Sequence, residues 1–148
     1  MKIILMSVLL LALPQFAGAA HHKNDGAEGI TLKKRQPDST MTVTSVNVGT
    51  EQTTITATGK MGQYGRVYTT YNLSLNADRT GGMVNGTGRG VIDENTIVAG
   101  FFAGVWQREG STIVMNNVVN ISDGSQNYDV ITFDARKNTL VHQVFIIK

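Results

Sequence analysis

The chain has 148 residues and a formal net charge of +2, which is one domain's worth of length with no strong charge bias. It contains no cysteine, excluding a disulfide scaffold, a thiolate zinc site, a CxxC redox centre and a cysteine nucleophile. Charged residues make up 16% and hydrophobic residues 41%; an average soluble chain carries roughly 25% charge, so the composition excludes a disordered or nucleic-acid-coating protein.

Met1–Ala20 opens with Lys2, continues through the apolar run Ile3–Leu13, breaks at Pro14 and ends in Ala17-Gly18-Ala19-Ala20. This three-part layout predicts a secretory signal peptide and an exported product, periplasmic or secreted. The run is shorter than the roughly 20 apolar residues that span a bilayer, and no later segment could cross as a helix. Cleavage falls after Ala19 or Ala20. The first option leaves Ala20-His21-His22 at the new N-terminus, where a free amine with histidine third can bind Cu(II) through amine, amides and imidazole. The second option, with His21 first, abolishes that motif. Loss of Lys2 leaves 12 basic against 11 acidic side chains, and five of the nine leucines leave with the leader. What remains is rich in Thr, Val, Gly and Asn, residues that suit a pleated surface better than a helix.

Residues 21–40 carry Asn24-Asp25-Gly26, the basic run Lys33-Lys34-Arg35 and Pro37, and read as an exposed, flexible lead-in. From Met41 to Lys148 there is no proline, so strands can pair without a missing donor. Eight strands are predicted. The first, Met41–Val48, puts Val43 on one face and Val46 and Val48 on the other. Thr53–Lys60 follows. Gly65–Asn76 has Val67, Thr69, Tyr71, Leu73 and Leu75 on one face, with Tyr68 on the opposite one. The remainder are Gly82–Ile92, Thr96–Gln107, Ser111–Ser122, Asn127–Asp134 and Thr139–Lys148. The joins after residue 76 are short and turn-prone: Arg79-Thr80-Gly81, Asp93-Glu94-Asn95, Glu109-Gly110, Asp123-Gly124-Ser125 and Arg136-Lys137-Asn138. The expected fold is therefore all-β, an eight-stranded antiparallel meander closing into a small barrel over residues 41–148, with a two-sheet sandwich as the alternative. The last strand is apolar on both faces and needs outer cover from the lead-in or a neighbouring subunit.

Gly86, Gly88 and Gly90 share one strand face with Val84 and Ile92. The string Gly86-Thr87-Gly88-Arg89-Gly90 is no dinucleotide fingerprint, because strand continues on both sides where a helix is required. Glycines at period two instead suit sharp curvature, or an aromatic ring laid over bare backbone. The next strand supplies Phe102 and Trp106 on the face of Gly100 and Gly104.

Gly104-Val105-Trp106 resembles the G-x-W of lipocalins, and Trp106–Thr112 resembles the first hairpin of avidins, but both fall in the fifth strand instead of the first. The rhythm of the whole 41–148 region is closer to another group. Gly62-Gln63-Tyr64-Gly65 is followed by Gly86–Asp93, then a Gly-x-Trp strand, Gly110-Ser111, Ile121-Ser122-Asp123-Gly124 and a final hydrophobic strand. This resembles the bacterial relatives of the allene oxide cyclase barrel, a calycin-like group that includes dirigent proteins. The resemblance implies an eight-stranded barrel with a partly apolar lumen, no cofactor, and a homo-oligomer, trimer or dimer. Its characterised members steer reactions of lipid-derived epoxides or phenolic radicals, and it assigns no role to a numbered residue here.

Candidate chemistry is sparse. His142 lies on the face of Leu140, Val144 and Ile146, and Asn117 on that of Ile113, Met115, Val119 and Ile121. A buried histidine there is a core residue or a lumenal acid/base, and a buried asparagine needs a partner or orients a ligand. With Arg89 they form the catalytic candidates. Tyr71, Phe102, Trp106, Asn117 and His142 are the ligand-binding candidates. No triad, carboxylate dyad or HExxH-type metal site is present, and no basic-aromatic stripe suggests nucleic acid. Asn72, Asn85 and Asn120 begin glycosylation sequons, relevant only in a eukaryotic source. Three functions fit: an exported barrel binding an apolar, amphipathic or phenolic small molecule; a cofactor-free cyclase or isomerase; and a filled structural barrel. A side-chain-filled interior with no pocket of about 300 Å³ sinks the first two.

Overall fold

Eight strands follow one another in chain order: β1 (Ser39–Val48), β2 (Gln52–Lys60), β3 (Arg66–Ser74), β4 (Gly81–Val91), β5 (Ile97–Glu109), β6 (Thr112–Ile121), β7 (Gln126–Asp134) and β8 (Thr139–Ile146). These come from a computed structural model that describes residues 31–148. The expected signal peptide, the start of the lead-in and the copper motif at His21 and His22 lie outside the described residues. Each strand pairs antiparallel with its sequence neighbour, and β1 pairs with β8, so the meander closes into a barrel and not a sandwich. Closure leaves every strand with a partner on both sides, the most complete way to remove sheet edges.

Period-two alternation directs one set of side chains inward. Val67, Tyr71 and Leu73 of β3, Met115 and Asn117 of β6, Asn127, Asp129, Ile131 and Phe133 of β7, and Leu140, His142 and Val144 of β8 are all buried. Aspartates set several turns: the carboxylates of Asp78, Asp93, Asp123 and Asp134 accept the amides of Thr80, Asn95, Ser125 and Arg136. Those bonds hold the Asp78 and Asp93 carboxyls below their ordinary range. Left-handed backbone falls at Arg79, Gly110, Gly124 and Asn138, one in each of four hairpin turns.

Two expectations are corrected. The β1–β2 register moves from Val43↔Ala57 to Ser45↔Thr56, so Thr44 is an extra residue in a bulge. The bulge reverses the alternation. Val46 falls opposite Ile55 and Val48 opposite Thr53, on the same side as Val43 and not the opposite one. Val46 and Val48 are nevertheless exposed, because β1 outruns its pairing with β8, which stops at Thr42.

The second correction concerns the end of the lead-in. Arg35 N–H donates to the Val144 carbonyl at 2.8 Å, and Ile146 N–H donates to the Lys33 carbonyl at 2.9 Å. Lys33–Arg35 thus continues the β1–β8 seam past the kink around Pro37, which has no N–H to give. The Arg35 guanidinium clamps this strap to the body through Asn127 Oδ1 and the Lys148 carbonyl. On the outer side of β8, Phe145 is half-buried, with the Tyr128 ring 6.4 Å away.

Candidate functional site

The two ends of the barrel are filled differently. At the end where β3 turns into β4, the interior holds Leu73, Val84, Trp106, Phe133 and Leu140, none more than 5% exposed. The Trp106 indole N–H donates to the Ser74 carbonyl at 2.9 Å and so seats its ring there. At the other end a 3₁₀ turn, Gly62–Tyr64, joins β2 to β3. Beneath it lies a cavity of about 60 Å³ with walls of Met61, Val67, Val98, Phe102 and Ile121 and a floor that includes Tyr71, Asp129 and His142. Phe102 and Val98 point inward yet are only half-buried, so packing is incomplete at this end.

The cavity is far smaller than the expected pocket of about 300 Å³, so the expectation of a whole ligand enclosed in the lumen is corrected; the space that remains holds only part of a molecule. Its space has a specific origin in the glycines. A Cβ on Gly86 would sit 2.0 Å from the Thr70 carbonyl oxygen and 2.4 Å from the Phe102 ring, so the ring does lie over bare backbone there. A Cβ on Gly104 would sit 1.9 Å from the Asn116 carbonyl oxygen. Gly88 and Gly100 differ. Their nearest atoms are side-chain methyls at 3.4 Å and 3.3 Å, and both residues line the cavity. Those two glycines keep the lumen open.

A polar line crosses the floor. The Tyr71 hydroxyl and His142 Nε2 are 2.8 Å apart, from β3 and β8 on opposite sides of the barrel. His142 Nδ1 faces Asp129 Oδ2 at 3.9 Å. Asn117 stands directly opposite Asp129 in the β6–β7 register. All four residues are at most 5% exposed. Burial raises the Tyr71 hydroxyl well above its ordinary value of 10; the nearby Asp129 carboxylate adds to this, against an opposing Thr69 hydrogen bond. Folding therefore favours neutral Tyr71. Its contribution to stability is whole below about pH 10 and is lost as pH climbs above that, because the unfolded tyrosine then gives up a proton that the folded one keeps. Urea unfolding between pH 8 and pH 11 should show stability falling above pH 10, and Tyr71→Phe should flatten part of that fall.

The structure brings Tyr71, Phe102 and His142 to the cavity, and buries Asn117 next to its floor. The Tyr71 and Phe102 rings are 5.1 Å apart. Two candidates fall away. Arg89 turns outward, donates to the Gly88 carbonyl and lies 5.8 Å over the exposed Phe101 ring, because β4 alternation assigns the inner face to its glycine neighbours. Trp106 points inward but fills the opposite end. Asp129 is the buried cavity-lining residue that sequence reasoning missed. Its signal was available, since it alternates with Ile131 and Phe133 on the inner face of β7.

A wider depression of about 650 Å³ lies outside the barrel over the β3–β4 turn, beside Asp78, Thr80, Met83, Val105, Arg108 and Glu109. Among the described residues, none of its polar groups is buried without a partner. The interior cavity is therefore the candidate site. Comparisons with family models, with curated proteins and with solved structures give no match, so the site is read from its own geometry.

Proposed function

We propose that this is an exported barrel that binds the head of a small amphipathic molecule inside its open half. One observation carries the reading: a buried polar line of Tyr71, His142 and Asp129 forms the floor of an otherwise apolar and incompletely filled lumen. A protein selected only for packing has no need of a buried carboxylate and histidine beside a void, since polar groups cost stability unless fully paired. The cavity accommodates a head group, and a tail would lie along Phe102 and Val98 toward the open end. The leader layout of Met1–Ala20 supports export. The glycine rhythm resembles that of the allene oxide cyclase-like group, and a closed eight-stranded barrel is the fold that this resemblance implies.

Titration with a panel of six-carbon compounds (alcohol, amine, carboxylic acid), followed by methyl NMR, tests this. Resonances of Val98, Val119, Ile121 and Ile131 should shift while those of Leu73 and Leu140 stay still. A panel that leaves the first set unmoved removes the reading.

One observation favours a second reading, a cofactor-free isomerase or cyclase: Tyr71 and His142 share a hydrogen bond along which a proton can pass, and the Asp129 carboxylate lies 3.9 Å from the second ring nitrogen. That reading requires a turnover that His142→Ala abolishes. A barrel that binds its ligands and returns them unchanged is a binding protein only.

A further inference from the structure

The next question, which rests on the lumen reading above, is what kind of head group the cavity takes. Two side-chain atoms of floor residues have no hydrogen-bond partner, Asp129 Oδ1 and His142 Nδ1, and neither do Nδ2 and Oδ1 of the neighbouring Asn117. Asp129 and His142 line the cavity, while Asn117 is fully buried beside Asp129. Buried polar atoms of this kind are ordinarily paired, so unpaired ones beside a void mark the place of a bound group. We propose that the cavity receives the hydroxyl of a neutral alcohol, which donates its hydrogen bond to the Asp129 carboxylate.

The alternatives fit less well. A carboxylate head would bring a second negative charge against Asp129. Arg89 is the only residue with a cationic side chain among the described cavity-lining residues, and its guanidinium lies on the outer surface. The Arg35 guanidinium is already engaged with Asn127 Oδ1 and the Lys148 carbonyl at the rim. An ammonium head gains the Asp129 charge but carries three N–H donors to satisfy, and Asn117, which holds the other unpaired oxygen near the floor, does not line the cavity. A hydroxyl has a single donor to satisfy, and its oxygen can accept from a neighbouring polar group. The cavity of about 60 Å³ matches such a compact head with its first carbons.

The test compares 1-hexanol, hexylammonium and hexanoate at pH 7.5, by NMR titration against the wild-type chain and Asp129→Asn. Hexanol should bind best. Hexanoate should bind at least about tenfold more weakly, since like charges a few ångströms apart repel strongly in a partly desolvated site. Asp129→Asn should narrow the hexanol-to-hexanoate ratio by about the same factor. Hexanoate or hexylammonium binding as tightly as hexanol to the wild-type chain overturns the proposal, as does an unchanged ratio in a folded Asp129→Asn chain. If that chain lacks the wild-type circular dichroism spectrum, the wild-type ranking decides alone. If no compound moves the lumenal methyls, the lumen reading itself fails and takes this inference with it; binding without head-group preference sinks the inference and leaves the lumen reading standing.

Discussion

Gly88→Val is expected to abolish binding of every six-carbon probe while leaving the melting temperature unchanged or raising it. A Cβ at this position meets the Thr69 methyl at 3.4 Å and the Tyr68 carbonyl oxygen at 3.8 Å, both ordinary contact distances, so the backbone does not have to move. The valine branches then occupy cavity space that glycine leaves empty. Replacing a strand glycine also removes an entropic cost of about 0.5–1 kcal/mol. A substitution that stabilises the fold and destroys binding is the mark of a void kept for function. Gly86→Val, two residues away on the same face, is the control. Its Cβ would collide with the Thr70 carbonyl oxygen and the Phe102 ring, and overpacking of that kind should cost about 3 kcal/mol or more. Thermal unfolding and the probe titration separate the two variants. Lost stability in Gly88→Val with binding intact would show that the cavity is a packing defect.

Trp106→Ala is expected to destabilise the barrel by about 3–5 kcal/mol, the usual cost of emptying a large aromatic site in a packed core, and to leave probe affinity nearly unchanged in the folded fraction. Trp106 is 3% exposed and its indole N–H is held by the Ser74 carbonyl, at the end of the barrel away from the cavity. Chemical denaturation gives the stability change. Titration at a temperature where the variant stays folded gives the affinity. A large loss of affinity without loss of stability would instead return Trp106 to the ligand site.

The two aromatic residues Phe102 and Trp106 show where sequence reasoning stops. Both alternate onto the inner face of β5, and period two is enough to say so. Which of them packs and which borders a void depends on position along the barrel axis, and that follows from strand tilt and closure, which no local pattern encodes. The bulge at Thr44 is a similar case. Thr44 stands between Val43 and Ser45 with no glycine or other local mark of a change in register, so the expected faces of Val46 and Val48 are reversed.

Alternation, turn residues and the absence of proline are local properties of the chain, and they place the eight strands, their hairpin order and the apolar faces that Tyr71, Phe102, Asn117 and His142 share. That Tyr71 meets His142 across the lumen, that Asp129 lies beside them, and that Lys33–Arg35 extends the seam follow from the closed barrel. These contacts bring together residues far apart in the chain. The Tyr71–His142 contact exists only once β1 and β8 have paired and the ring of strands is closed, whereas Asp129 meets His142 across the β7–β8 pairing.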